Sequence, residues 1–205
     1  MRLYYNLQHY QRLKLFSFVR NSRDMISVCL YALEYLQYWE GNKEVKRPYL
    51  CLDLEGTHRL YLVDVDKIIS FGFDIRVKLN EEFNRVAGLF IRQYPITSRE
   101  ISEARQILSN NLDAQSLYCY NMIEEDSMVL DTSLRLFEHL LFQEWGYVRY
   151  DSDPSSARVG RHPVNHFDVN FSKLFSYKLG LRKKIELEEF INMIDKDKDC
   201  GTLEF

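Results

Sequence analysis

The residues best equipped for chemistry lie in RHPVNHFDVNF, residues 161–171, which brings His162, His166 and Asp168 close together. Successive side chains of a strand point to opposite faces, so a strand over 164–171 turns Asn165, Phe167, Val169 and Phe171 toward the core. His166, Asp168 and Asn170 then share the other face with Val164. Upstream, YVRYD places Arg149 and Asp151 on one strand face, and downstream FSYKLGL does the same for Ser176 and Lys178. Strands consecutive in sequence tend to be neighbours in a sheet. If these three are, Arg149, Asp151, His166, Asp168 and Lys178 form one polar cluster with His162 at its rim.

Two imidazoles and two carboxylates suit either divalent-metal binding or general acid–base work, and a nearby cation stabilises developing phosphate charge. On an enzymatic reading, Asp151, His162, His166 and Asp168 are the catalytic candidates, Lys178 or Arg149 stabilises charge, and a divalent metal is the implied cofactor. On any other reading no cofactor is implied. The spacing specifies no particular ligand set, and the wet face of an antiparallel sheet is polar in any case.

Charge is unevenly placed although the net is only -3. Between Arg158 and Lys184 lie seven basic residues, Arg158, Arg161, Lys173, Lys178, Arg182, Lys183 and Lys184, against the single acid Asp168. With Arg149 they make a candidate binding surface for nucleic acid or an acidic protein partner. The preceding segment is acidic (Glu124, Glu125, Asp126, Asp131, Glu138 and Glu144 against Arg135), so basic sheet and acidic helix are also complementary to each other.

Several function classes are excluded by what is scarce. The eight glycines never fall closer than 14 residues apart, so neither GxGxxG nor GxxxxGK[ST] occurs and no nucleotide-binding loop is expected. The nucleophile-elbow pattern GxSxG is missing too. Cys29, Cys51, Cys119 and Cys200 form no CxxC, and the first three sit in apolar stretches, which suits free buried thiols in a reducing compartment. No unbroken apolar run is long enough to span a bilayer, and the opening MRLYYNLQHYQRLKLF lacks a signal peptide's apolar core. The expectation is a cytoplasmic chain without a membrane partner.

The elements that position the cluster follow from periodicity. Met25, Ile26, Cys29, Leu30, Leu33 and Leu36 give one helical face over 22–40, with Ser22 as cap and Gly41 as terminator. In the first 20 residues Leu3, Leu7 and Tyr10 fit a helix while LKLFSFV fits a strand. PYLCLDLEG and RLYLVDV predict a hairpin around 55–58. Strict alternation from Ile69 to Leu79 predicts one half-buried strand. Phe83, Val86, Ala87 and Phe90 predict a helix opening at Asn80. Pro95 separates it from a second, capped by Thr97 and Glu100 and ended by Asn110–Asn111. A longer helix is expected from an Asp131 cap through Leu134, Phe137, Leu140, Leu141 and Trp145 to Gly146. Three strands and the helix ELEEFINMI follow. This segregated order, helix, three strands, three or four helices, three strands, helix, predicts an α+β fold with antiparallel sheets packed against helices. One compact domain over 1–205 is expected, with a weaker division near 95 into 1–94 and 95–205.

Three segments resemble known families. PYLCLDLEGTH resembles the opening strand of proofreading-type 3′-5′ exonucleases, which implies Asp53 and Glu55 as metal carboxylates, and NHFDVNF faintly echoes their second motif. No histidine follows His166, so their closing histidine-to-aspartate motif is missing. Asp195-Lys-Asp197-Lys-Asp199 resembles the start of an EF-hand calcium loop, with Gly201 one place late. The C-terminal layout of YVRYD, a polar loop, HPxxHxDV, KLGL and ELEEFI resembles small uncharacterised bacterial proteins from toxin–antitoxin, restriction or phage-defence gene clusters. Restriction-type nuclease cores carry a carboxylate-x-lysine step, for which Asp168-Val169-Asn170 does not qualify.

Two functional expectations follow. The first is a non-enzymatic accessory or binding subunit of a bacterial multi-protein, phage-defence-type system, contacting nucleic acid or an acidic partner through its basic C-terminal sheet. The second is a metal-dependent nuclease or RNase-type toxin using the His/Asp cluster.

Overall fold

The computed structural model describes residues 1–41, 44–109, 130–158, 161–172 and 175–199. In chain order the elements are β1 (Arg2–Asn6), α1 (His9–Leu15), α2 (Ser22–Leu36), β2 (Tyr49–Asp53), β3 (Arg59–Val63), β4 (Lys67–Gly72), β5 (Arg76–Leu79), β6 (Val86–Ile91) and β7 (Tyr94–Ile96). There follow α3 (Ser98–Ser109), α4 (Leu130–Phe142), β8 (Val148–Ser152), β9 (Asn165–Val169), β10 (Tyr177–Leu181) and α5 (Leu187–Ile194). All strand pairs are antiparallel, which makes the fold α+β as expected. Two compact units emerge: Met1–Leu7, Lys43–Phe73 and Trp145–Phe205 form the first, and Gln8–Asn42 and Asp74–Glu144 the second. Residue 95 lies within the second unit.

The first unit is built on a seven-stranded sheet of order β1-β2-β3-β4-β8-β9-β10. The expected β2–β3 hairpin is present. Its turn is set by Asp53, whose carboxylate accepts from the backbone N–H of Gly56 (3.2 Å) and Thr57 (3.0 Å) and from the Thr57 hydroxyl (3.1 Å). A Cβ on Gly56 would stand 2.6 Å from Asp53 Oδ2, so the turn needs glycine there. Asp53, which the exonuclease resemblance implies as a metal carboxylate together with Glu55, is thus engaged in the turn, and Glu55 pairs with the Met1 ammonium.

One face of this sheet carries the apolar core. Phe190, Ile191 and Leu187 of α5 pack on Cys51, Tyr61, Val63, Ile68, Tyr150 and Phe167. The Phe190 ring meets Tyr61 and Phe167 edge-on, at centroid distances of 6.2 and 5.4 Å. Tyr150 is fully buried with its hydroxyl satisfied on both sides, donating to Asn165 Oδ1 (3.0 Å) and accepting from Ile185 N–H (3.3 Å). Glu186 and Glu189 close a capping box at the start of α5, and acidic Glu188 and Glu189 in its first turn complement the helix dipole. On the opposite face, Leu50, Leu52, Leu60, Leu62, Ile69 and Phe71 are buried as well, so β2, β3 and β4 read as near-continuous apolar runs.

The second unit combines α1–α4 with a three-stranded sheet of order β5-β6-β7. The expected α2 is present, but its cap is Asn21, which accepts from Asp24 N–H at 2.9 Å, rather than Ser22. It ends at Leu36, before Gly41. The Thr97–Glu100 capping box opens α3 as predicted, with Thr97 N–H donating to Glu100 at 2.8 Å; Asn110–Asn111 lie outside the described residues. Asp131 falls inside α4 rather than before it, and Trp145 lies beyond the helix, in the first unit, edge-on to Phe71 at 5.9 Å.

Three expectations are corrected. The alternation from Ile69 to Leu79 is divided between β4 and β5, which belong to different sheets. Period-two patterning does not register a break when the next strand continues the same phase. The helix expected from Asn80 is instead a turn followed by β6 and β7, with Pro95 in the terminal strand of its sheet. Asn80 Oδ1 accepts from Asn84 N–H (3.0 Å) and Arg85 N–H (3.1 Å), and Phe83 takes a positive φ of 54°, so the asparagine side chain organises a turn in place of a first helical turn. At the N-terminus Leu3 lies in β1, paired with β2, and Leu7 just beyond it, while Tyr10 and part of LKLFSFV, which fits a strand, lie in α1.

Candidate functional site

The three C-terminal strands are adjacent, and their register aligns the polar cluster row by row. Arg149 of β8 faces Asp168 of β9, which faces Lys178 of β10; Asp151 faces His166, which faces Gly180. On its other side Asp151 faces Lys67 of β4. These side chains stand on the sheet face opposite α5.

Arg149 bridges the two carboxylates, donating from Nε to Asp151 Oδ2 at 2.6 Å and from Nη2 to Asp168 Oδ2. Lys178 Nζ donates to Asp168 Oδ1 at 2.5 Å and lies 3.0 Å from His166 Nε2. Lys67 Nζ stands 3.5 Å from Asp151 Oδ1. His166 Nε2 is 3.8 Å from Asp151 Oδ2 and 3.9 Å from Asp168 Oδ2.

The loop before β9 sets the imidazole. His166 Nδ1 meets the carbonyl oxygen of Pro163 at 2.9 Å. A carbonyl only accepts, so Nδ1 carries the hydrogen and Nε2 presents its lone pair to Lys178. Gly180 makes this possible: a Cβ there would stand 2.9 Å from Pro163 Cγ, so the loop approaches β10 closely only over a glycine. The His162 ring lies edge-on to His166 at a centroid distance of 4.5 Å. Burial, with Lys178 acting in the same direction, holds the His166 pKa below its ordinary value. Burial also works against the Arg149 charge, but the carboxylates of Asp151 and Asp168 outweigh it and leave that pKa raised.

The cluster is layered. The side chains of Lys178, Lys67 and Arg149 are 36%, 33% and 23% exposed, whereas those of Asp168, Asp151 and His166 are 13%, 12% and 1% exposed. The face expected to be wet is therefore a buried polar network with cations outermost. With the imidazole neutral, three cations stand over two carboxylates.

The remaining basic residues are dispersed. Lys183 pairs with Glu189 at 2.5 Å and Lys184 with Asp66 at 2.7 Å, so both are partly neutralised. Arg182 is exposed beside them. Arg158 and Arg161 are exposed on the loop that leads to His162, and Lys173 lies outside the described residues. Lys67 was missed by sequence reasoning, because the β4–β8 pairing that delivers it joins strands far apart in the chain. The only local signal was its place at the start of the apolar run KIISFG.

Comparison of the chain with family models, with curated proteins and with solved structures finds no match. Among the described residues no helix is long and apolar enough to cross a membrane.

Proposed function

We propose that the protein is a nucleic-acid-binding subunit, and that Lys67, Arg149 and Lys178, at the β8–β10 end of the seven-stranded sheet, receive the phosphates of a single strand. The observation that carries this reading is the layering: the cations face outward, outnumber the carboxylates and are held in place by them. Phosphate contacts of this kind supply most of the affinity of sequence-independent binding. The edge of the sheet adds a second element, since Phe175, just before β10, and Tyr177, on the face of β10 opposite Lys178, are 72% and 56% exposed. Exposed aromatic rings at the edge strand offer stacking surfaces to unpaired bases of a strand that passes over that edge. The C-terminal layout resembles that of small bacterial proteins from defence-type gene clusters, a resemblance that supports a place in a multi-protein system.

The experiment is fluorescence anisotropy of a labelled oligothymidine against the full chain over a range of salt. Binding through three phosphates gives a slope of log affinity against log salt of about −2. The Lys67→Ala/Lys178→Ala double variant loses at least about tenfold in affinity at low salt, whereas Arg23→Ala, in the second unit, leaves affinity unchanged. Salt-independent binding, or equal binding by the double variant, overturns the reading.

A further inference from the structure

Asp151, His166 and Asp168 each offer one ligand atom, and these atoms lie within 4.8 Å of one another. Metal–ligand bonds of about 2.0–2.2 Å place neighbouring ligand atoms about 3–4 Å apart. The separations of 3.8 and 3.9 Å from His166 Nε2 to the two Oδ2 atoms already fall in that range. The imidazole has the required form, since Nδ1 is held by a backbone carbonyl, the arrangement that orients metal-bound histidines, and the Nε2 lone pair, which now faces Lys178 Nζ at 3.0 Å, becomes available to an ion when that ammonium turns to a phosphate. The same two Oδ2 atoms now share one cation, the Arg149 guanidinium, so the fold converges negative charge on a point that a smaller, doubly charged ion can take over. Beside the triad, His162 keeps a buried Nδ1 with no hydrogen-bond partner among the described residues.

We propose that Asp151, His166 and Asp168 form a site for a divalent first-row transition ion, such as Mn²⁺ or Zn²⁺, which is filled cooperatively with the phosphate held by Lys67, Arg149 and Lys178. The inference rests on the phosphate reading above and deepens it. A mixed imidazole–carboxylate set suits such ions better than Ca²⁺, which prefers an all-oxygen shell. The cooperativity follows from charge. A divalent ion entering alone adds to a cluster whose cations already exceed its carboxylates, and the guanidinium it displaces is left without its partners. A phosphate arriving with it pairs with the released Arg149 and with Lys178. Coupling of this kind is reciprocal, so the ion strengthens phosphate binding by the factor by which phosphate strengthens ion binding.

The test is titration of the full chain with Mn²⁺, followed by loss of the free-ion electron paramagnetic resonance signal, with and without inorganic phosphate. Saturable binding of one ion per chain is expected, tightened about fivefold or more by phosphate. His166→Gln abolishes it. Because that variant removes a buried side chain, Arg149→Gln is the second probe: it removes the competing cation while Lys67 and Lys178 still face the carboxylates, and it tightens Mn²⁺ binding without phosphate. Failure to bind Mn²⁺ saturably in the wild type and in Arg149→Gln, with or without phosphate, overturns the inference, as does binding unchanged by phosphate. Oligothymidine binding that persists when Mn²⁺ fails to bind shows that only this inference has fallen. Mn²⁺ binding tightened by phosphate, together with no salt-dependent oligothymidine binding, upholds the ion site and removes the nucleic-acid reading instead.

Discussion

Lys178 holds two partners at once: its Nζ lies 2.5 Å from Asp168 Oδ1 and 3.0 Å from His166 Nε2. One ammonium therefore compensates a carboxylate and, after burial, disfavours protonation of an imidazole, coupling the edge strand to the most buried polar residue of the cluster.

Lys178→Met keeps the length of the side chain and removes its charge, so the His166 pKa rises in the variant, as read by NMR titration of the imidazole. The consequence for stability has a definite sign. The folded-state pKa of His166 lies below its ordinary value, through burial first and Lys178 second. As pH falls through about 6.5, the unfolded chain takes up a proton that the folded chain refuses, and stability declines on acidification. In Lys178→Met that decline is shallower. An unchanged His166 titration would show that the lysine charge does not reach the ring.

Gly180→Ala tests the support of the imidazole rather than the imidazole itself. The new Cβ meets Pro163 Cγ at 2.9 Å, so the loop must move and the Pro163–His166 hydrogen bond loosens. A destabilisation of about 1–3 kcal/mol in urea is expected. It is accompanied by altered His166 ring-nitrogen shifts, and Gly88→Ala, in the second unit, leaves those shifts unchanged.

Asp53 is expected to carry an acid-sensitive part of the stability. Burial pushes its carboxyl up, but hydrogen bonds from Thr57 and Gly56 and the Arg2 charge outweigh burial and hold the pKa below the usual value. Its contribution is present above about pH 4 and is lost as pH falls further. Asp53→Ala costs about 1–3 kcal/mol at neutral pH by chemical denaturation. The gap between variant and wild type narrows on acidification, and a gap independent of pH would contradict this assignment.

Phe190→Ala removes the ring on which Tyr61 and Phe167 close, and about 3–5 kcal/mol of stability with it. Urea unfolding monitored by tyrosine fluorescence measures the loss. Met193→Ala, at an exposed position of the same helix, stays within about 0.5 kcal/mol of wild type.

Burial raises the Cys51 thiol to about 12 and the Cys29 thiol further still. Thiolates are the reactive form, so at pH 8 both resist a disulfide reagent until the chain unfolds. Mass spectrometry of the labelled peptides checks this, and rapid native-state labelling of Cys51 would show that β2 opens.

Much of the candidate site was legible without coordinates. Alternation in YVRYD, VNHFDVNF and FSYKLGL assigned Arg149, Asp151, His166, Asp168 and Lys178 to one face, because the period of a strand is a local property of the backbone. The hairpin at Gly56, the capping box at Thr97 and the helix ELEEFINMI were legible for the same reason: each is specified by residues within one or two turns of one another.

Long-range pairing decided the rest. Nothing local separates β4 from β5, turns the Asn80 segment from helix to hairpin, or brings Lys67 beside Asp151, since each depends on which distant strand supplies the backbone partners. The same pairing changed the character of the site. The sequence placed charged residues on a face expected to be wet; the packed sheet, with the Pro163 loop drawn onto Gly180, buries His166 and both aspartates and leaves the cations outermost. Residue types and their phase along each strand were written locally. Which of them meet, and which remain in water, was decided by close approach between segments that only the folded chain brings together.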